Sequence, residues 1–270
     1  MIVFKNVTKQ YKGRDVLSAV SFRINPGEFV CVTGPSGAGK STIIRLLIGA
    51  EASTKGSVEV DGADLRSVPR SAMQLFRRRV GVMFQDDKLL EHRTVAENIA
   101  YPLEVCGASA ALIRKRLPTI LKRMDLVGRA SAFPSELSGG ERARTALARA
   151  IIHHPAILLA DEPTGNVDPK QSKAVMELLR DINRSGTTVI LATHDTVLVD
   201  LLHTRVIRLE NGKVIRDSIG GYEEEPKQER SEIPQAIFVS PIAQKKSVGE
   251  ALHPQTKGRK KIHITAIGVA

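Results

Sequence analysis

A chain of 270 residues, 42% of them hydrophobic, can bury a substantial core, which excludes a disordered polymer. Its formal charge of +11 favours anionic partners, yet aromatic residues make up only 4% and tryptophan is absent, so nucleic acid read by base stacking is disfavoured. Cys31 and Cys106 stand far apart with no CxxC, against a disulfide framework or zinc ribbon and for a reducing cytoplasm, while no apolar run is long enough for a membrane span and no signal peptide opens the chain.

In chain order, "IVFKNV" at 2–7 and "VSFRI" at 20–24 alternate as antiparallel strands do. "FVCVT" at 29–33 is instead continuously apolar and suits a strand buried on both faces of a parallel sheet. It runs into "GPSGAGKST" at 34–42, which matches GxxxxGK[ST] in the strand-loop-helix setting that this phosphate-binding loop requires. Gly34, Gly37 and Gly39 allow close backbone approach, Pro35, Ser36, Ala38 and Thr42 complete the cradle, Lys40 adds a cation, and Ser41 offers a hydroxyl to Mg²⁺. A helix follows in "TIIRLLIGA", and "SVEVDG" at 57–62 alternates again.

Basic clusters come next, at Arg77-Arg78-Arg79, Arg114-Lys115-Arg116 and Lys122-Arg123; they read as solvated helix faces or as a surface apposed to an anionic bilayer. "ELSGGERAR" at 136–144 resembles an anion cradle without a lysine. Ala143, Ala146, Leu147, Ala150 and Ile151 repeat at helical spacing, so a helix begins near Ser138 with its dipole available to an anion. "AILLADEP" carries a buried strand to Asp161 and Glu162, where Asp161 can hold Mg²⁺ through water and Glu162 can deprotonate an attacking water. "TVILAT" at 188–193 is another doubly buried strand, and Asn211-Gly212 inside "RVIRLENGKVIRD" marks a hairpin. From Tyr222 the pattern fails, and 222–270 reads as a flexible C-terminal tail with eight Lys/Arg and six Glu.

As an ordered set, Gly34 to Thr42, Gln85 in "MFQDD", "LSGGE" at 137–141, "LLADEP" at 158–163, "GNVD" at 165–168 and His194 in "LATHD" resemble an ATP-binding cassette ATPase over about residues 1–220. The resemblance implies an α/β P-loop NTPase: a mixed sheet core, an antiparallel β subdomain, an α-helical subdomain at about 86–150, and a single ATPase domain at 1–221. It also implies ATP as substrate, with Mg²⁺ on Ser41, Gln85 and Asp161. Glu162, His194 and Gln85 would be catalytic, Tyr11 would stack on adenine, and Asp168 would lie at a dimer seam. Ser138, Gly139 and Gly140 would face the γ phosphate held by the opposite subunit, which accounts for the missing lysine. Glu141 and Val167 depart from the commoner glutamine and leucine.

The wording around "MFQDDKLLEHRTVAENIAYPLEVCGAS" is similar to the bacterial cell-division branch of that family. That branch implies a homodimer on the cytoplasmic face of the membrane at the division site. An integral membrane partner of the FtsX type would regulate peptidoglycan hydrolysis, and a division-ring protein is a further partner. Lipoprotein-releasing and macrolide-exporting ATPases share "ADEPTGN". A soluble cassette acting on DNA or ribosomes is disfavoured, because the short span from Gln85 to Ser138 has no room for a long coiled coil.

Overall fold

The computed structural model describes residues 1–165 and 167–220; the tail reading for 222–270 lies outside the described residues. The chain opens with β1 (Ile2–Tyr11), β2 (Arg14–Ile24) and β3 (Phe29–Thr33), then α1 (Lys40–Leu47), β4 (Lys55–Val60) and the short β5 (Ala63–Asp64). It continues through α2 (Arg70–Arg77), β6 (Val80–Met83), α3 (Val95–Val105), α4 (Ala110–Arg123) and α5 (Gly139–Ile151). Then come β7 (Ile157–Asp161), α6 (Pro169–Arg184), β8 (Thr188–Thr193), α7 (Thr196–Leu202), β9 (Arg205–Glu210) and β10 (Lys213–Ile219).

One sheet has the order β2-β1-β4-β5 and is antiparallel. The other has the order β10-β9-β3-β8-β7-β6, parallel from β9 to β6, with β10 returning antiparallel through the Asn211-Gly212 turn. The mixed sheet, antiparallel sheet and helical layer are those expected from the motifs.

The continuously apolar strands are explained by their two faces. Phe29, Cys31, Leu158, Ala160, Val189 and Leu191 point into a core shared with α3, α4, α5, α6 and α7. Val30, Val32, Leu159, Ile190 and Ala192, their alternate neighbours, point into a second core shared with α1 and the antiparallel sheet. A strand with period-two side chains and apolar partners on both sides cannot show polar alternation. By contrast β10 alternates between exposed and half-buried residues, because one of its faces meets water.

Helix α5 buries Ala143, Ala146, Leu147, Ala150 and Ile151 along one stripe, as its spacing predicts. On α3 the fully buried Asn98 accepts from the Leu90 amide at 2.8 Å and donates to the carbonyls of Leu90, Arg93 and Thr94. A single side chain thus satisfies the backbone of the loop that follows Gln85.

Candidate active site

Four neighbouring parallel strands, β3, β8, β7 and β6, end on the same edge, where ligands of open α/β sheets bind. The first delivers the 34–42 loop, the second His194, the third Asp161 and Glu162, and the fourth Gln85. Register sets their heights: Thr33 pairs with Thr193 and Asp161 with Ala192, and the Glu162 amide donates to the Ala192 carbonyl at 2.8 Å. The result is a cavity of about 290 Å³ lined by Val16, Ser36, Gly37, Gly39, Lys40, Ser41, Thr42, Gln85, Glu162 and His194.

Backbone geometry makes the loop possible. Gly34 has φ 144°, and a Cβ there would sit 2.2 Å from the Leu209 carbonyl oxygen. Gly39, at φ 105°, caps α1 where a Cβ would strike Leu17 at 2.5 Å. Lys40 is 7% exposed; its ammonium donates to the carbonyls of Gly34 at 2.8 Å and Pro35 at 3.2 Å and lies 3.6 Å from Glu162 Oε1. It therefore stands at the start of α1 with the positive end of the helix dipole behind it, suited to an anion.

Glu162 adopts φ 46°, a left-handed conformation that a residue with a Cβ takes only under constraint. Its carboxylate accepts from His194 Nδ1 at 2.9 Å, so one oxygen is fixed by an imidazole that is itself largely exposed to the cavity mouth. Asp161 accepts from the Ser41 hydroxyl at 3.2 Å. Burial pushes the Asp161 carboxyl above its usual range, further raised by Glu162, although the Ser41 hydroxyl and Lys40 act the other way. A buried carboxylate that accepts from a hydroxyl, with Gln85 on the wall of the cavity that the same hydroxyl residue lines, is a set of hard oxygen donors that fits Mg²⁺.

The remaining expected residues lie elsewhere. Ser138 and Gly139 are exposed, and none of Ser138, Gly139 and Gly140 lines this cavity. Ser138 caps α5, accepting from the Glu141 amide at 3.3 Å while Glu141 accepts from the Ser138 amide at 2.8 Å and from Arg129 Nε at 2.8 Å. Glu141 therefore has a structural reason to be an acid. Gly140 has one too: a Cβ there would meet the Gln171 side chain at 2.9 Å, so this glycine serves close packing on α6 as well as any ligand. Asp168 caps α6, accepting from the Lys170 and Gln171 amides at 3.1 Å. Tyr11 also lies outside the cavity lining; its hydroxyl bonds Glu51, and Lys9 Nζ stands 5.0 Å from the ring centre.

Sequence reasoning missed Val16, Glu51 and Arg142. Val16 is an ordinary apolar residue of an alternating strand, with no signal to single it out. The partners of Glu51 and Arg142 are 40 and 55 residues away, at Tyr11 and Asp87 respectively.

A family model described as ABC transporter matches residues 17–165. The "Cell division ATP-binding protein FtsE" of Streptococcus pneumoniae is 47% identical over 222 residues, covering 82% of this chain and 96% of the relative. The proteins of that name are 45% identical in Mycobacterium tuberculosis, with 82% and 97% covered, and 43% in Escherichia coli, with 78% and 96% covered. A dimeric structure of the ATP-binding cassette MJ0796 in a post-hydrolysis state with ADP and Pi superposes with TM-score 0.75 at 35% identity, covering 81% of this chain and 98% of that one. A further dimeric structure of MJ0796, described as a bacterial ABC transporter cassette, gives the same TM-score at 36% identity, with the same coverage.

Proposed function

Because the chain belongs to the ABC transporter family and is an ATPase of that family, we propose that it acts as a homodimer enclosing two ATP molecules. Each nucleotide is held by the 34–42 loop of one chain and by Ser138, Gly139 and Gly140 of the other. One observation carries this reading: Ser138 and Gly139 sit exposed at the start of α5, outside the cavity that gathers Lys40, Gln85, Glu162 and His194 within a single chain. Amides at a helix start favour an anion, and the anion available to an exposed one is a neighbour's phosphate. The dimeric cassettes with which the fold superposes support it.

In each site the loop amides and Lys40 meet the β and γ phosphates. Glu162 takes a proton from water as the water oxygen bonds to the γ phosphorus and the bridging oxygen leaves with ADP. His194 holds the Glu162 carboxylate and reaches the γ phosphate, and Gln85 positions the water. Ser41 and Asp161, with Gln85, would hold Mg²⁺, which when bound supplies charge neutralisation at the β and γ oxygens. Tyr11, oriented by Glu51, offers the ring face away from Lys9 to adenine, and Asp168 lies at the seam between chains. Residues 1–221 serve as the ATPase domain and about 86–150 as its helical subdomain.

Closure of the dimer would drive an integral membrane partner of the FtsX type and so regulate peptidoglycan hydrolysis at division, with a division-ring protein as a second contact. Relatives named "Cell division ATP-binding protein FtsE" at 43–47% identity support this choice. No helix among the described residues is long and apolar enough to cross a membrane, so in this reading the partner supplies the attachment. A groove of about 420 Å³ suits a cytoplasmic helix of that partner: Phe84, the residue before Gln85, with Tyr101, Pro102 and Val105 gives it an apolar lining, and Arg77 and Arg78 a basic one. Pull-down of the tagged chain from membranes of its native cell tests the proposal. Recovery of an FtsX-like protein, lost on Val105→Glu, is expected; recovery of a lipoprotein-releasing or macrolide-exporting permease would overturn the division role.

A further inference from the structure

We propose that Arg142 and Asp87 form a clamp that ties the start of α5 to Gln85, so that contact of "LSGG" with the partner's nucleotide sets the water-positioning side chain of the chain's own site. This rests on the two-chain reading above and names how its two sites communicate. Arg142 lies on the first turns of α5, four residues after Ser138. Its Nε and one terminal nitrogen donate to the two oxygens of Asp87, at 2.7 and 3.1 Å. That nitrogen also donates to Glu91 at 2.9 Å, and the other to the Pro134 carbonyl at 2.8 Å, in the segment that leads into "LSGG". One planar guanidinium thus joins the strand-end segment after β6 to the approach to α5, a geometry that a lysine ammonium cannot reproduce.

The same helix grips the segment a second time. Arg149, two turns further along that face, donates to the Lys88 carbonyl at 2.7 Å and to the Asp87 carbonyl. Asp87 in turn accepts from the Leu89 amide at 3.2 Å. Backbone 87–89 is therefore pinned to α5 at both a side chain and its carbonyls, only two residues beyond Gln85. A hollow of about 240 Å³ lies along this path, with Gly139, Arg142, Asp87, Gln85 and Glu162 on its walls. It connects the exposed helix start to the general base of the same chain. The Arg142 and Asp87 side chains are 28% and 24% exposed, so the bidentate pair is shielded enough to hold its geometry yet open enough to yield when α5 shifts. Arg142 is a positioning residue in this scheme: it acts through Gln85 and touches no reacting atom.

A double-mutant cycle on Arg142→Ala and Asp87→Ala in the full chain tests the clamp. A misplacement of the water-positioning group costs up to about 10²-fold, so kcat is expected to fall about 10–100-fold in either single variant, with affinity for a fluorescent ATP analogue changed less than about twofold. The double variant should lose no more than the worse single one, because both remove the same contact. In a Glu162→Gln background the Arg142→Ala chain should still form an ATP-dependent dimer. Unchanged kcat, or losses that simply multiply, would overturn the clamp. If Arg142→Ala does not fold, Arg142→Lys provides the same reading, since the fork is lost while the charge stays. A Glu162→Gln chain that remains a monomer with Arg142 intact would instead sink the two-chain reading, and the communication between sites with it.

Discussion

The two ends of the site are built in different ways. Lys40, Asp161 and Glu162 are under 10% exposed: Asp161 and Glu162 stand at the end of β7, whose height is fixed by sheet register and by cores on both faces, and Lys40 opens α1, which packs into one of those cores. "LSGG" stands on a helix start held by an exposed capping box and by ion pairs such as Arg129 with Glu141. Reacting groups that must stay within a few tenths of an ångström are anchored in close-packed interior. The part that meets another molecule in the proposed two-chain site is secured by contacts worth about 0–1 kcal/mol each.

Substitutions can break that contrast, starting with the rigid half. Glu162→Gln removes the proposed proton acceptor but keeps the shape, so single-turnover hydrolysis should slow by about 10²–10⁴-fold with nucleotide affinity retained. A turnover within a few-fold of wild type would show that the base lies elsewhere. Lys40→Ala removes the buried ammonium from the loop. Loss of a charge-assisted contact worth about 1.5–3 kcal/mol predicts about 10–100-fold weaker ATP binding by calorimetry, and unchanged binding would reject the cradle.

Effects on the adjustable half should be smaller. Ser138→Ala removes the α5 cap and should cost about 1 kcal/mol in urea unfolding, a modest loss beside those above. A cost several times larger would mean that α5 is as firmly built as the sheet. Finally, the Ser138 backbone amide, together with Arg129, holds the Glu141 carboxyl below the ordinary glutamate value of 4.5. A lowered folded-state pKa gives stability that is present above 4.5 and lost as pH falls through the lower folded value. Melting temperatures of wild type and Glu141→Gln should therefore differ slightly at neutral pH and converge in acid. Parallel curves would show that the carboxylate contributes nothing.

The same contrast governs what the sequence makes legible. The phosphate loop, "LLADEP" and the doubly apolar strands are local patterns, and each lands where its pattern predicts because the sheet needs those residues at those positions. The glycine at 34 is legible as part of the loop motif, although the approach to Leu209 that demands it is not. Contacts that close over long sequence distances are not written in any window. The Tyr11 bond to Glu51, the packing of Gly140 on Gln171 and the Arg142–Asp87 pair all depend on which elements the fold brings together. The left-handed backbone of Glu162 is likewise invisible, because the sheet imposes it on a residue whose own preference is otherwise.

The central claim is that "LSGG" reads the phosphate of a second chain, and light scattering on the Glu162→Gln chain with Mg-ATP tests it most directly. The mass should double on adding ATP and return to that of a monomer when Ser138→Arg is combined with it, while a fluorescent-nucleotide titration shows that each monomer still binds ATP through Lys40 and Ser41. A double variant that remains dimeric with ATP, or that loses nucleotide binding as Lys40→Ala does, would contradict the two-chain site.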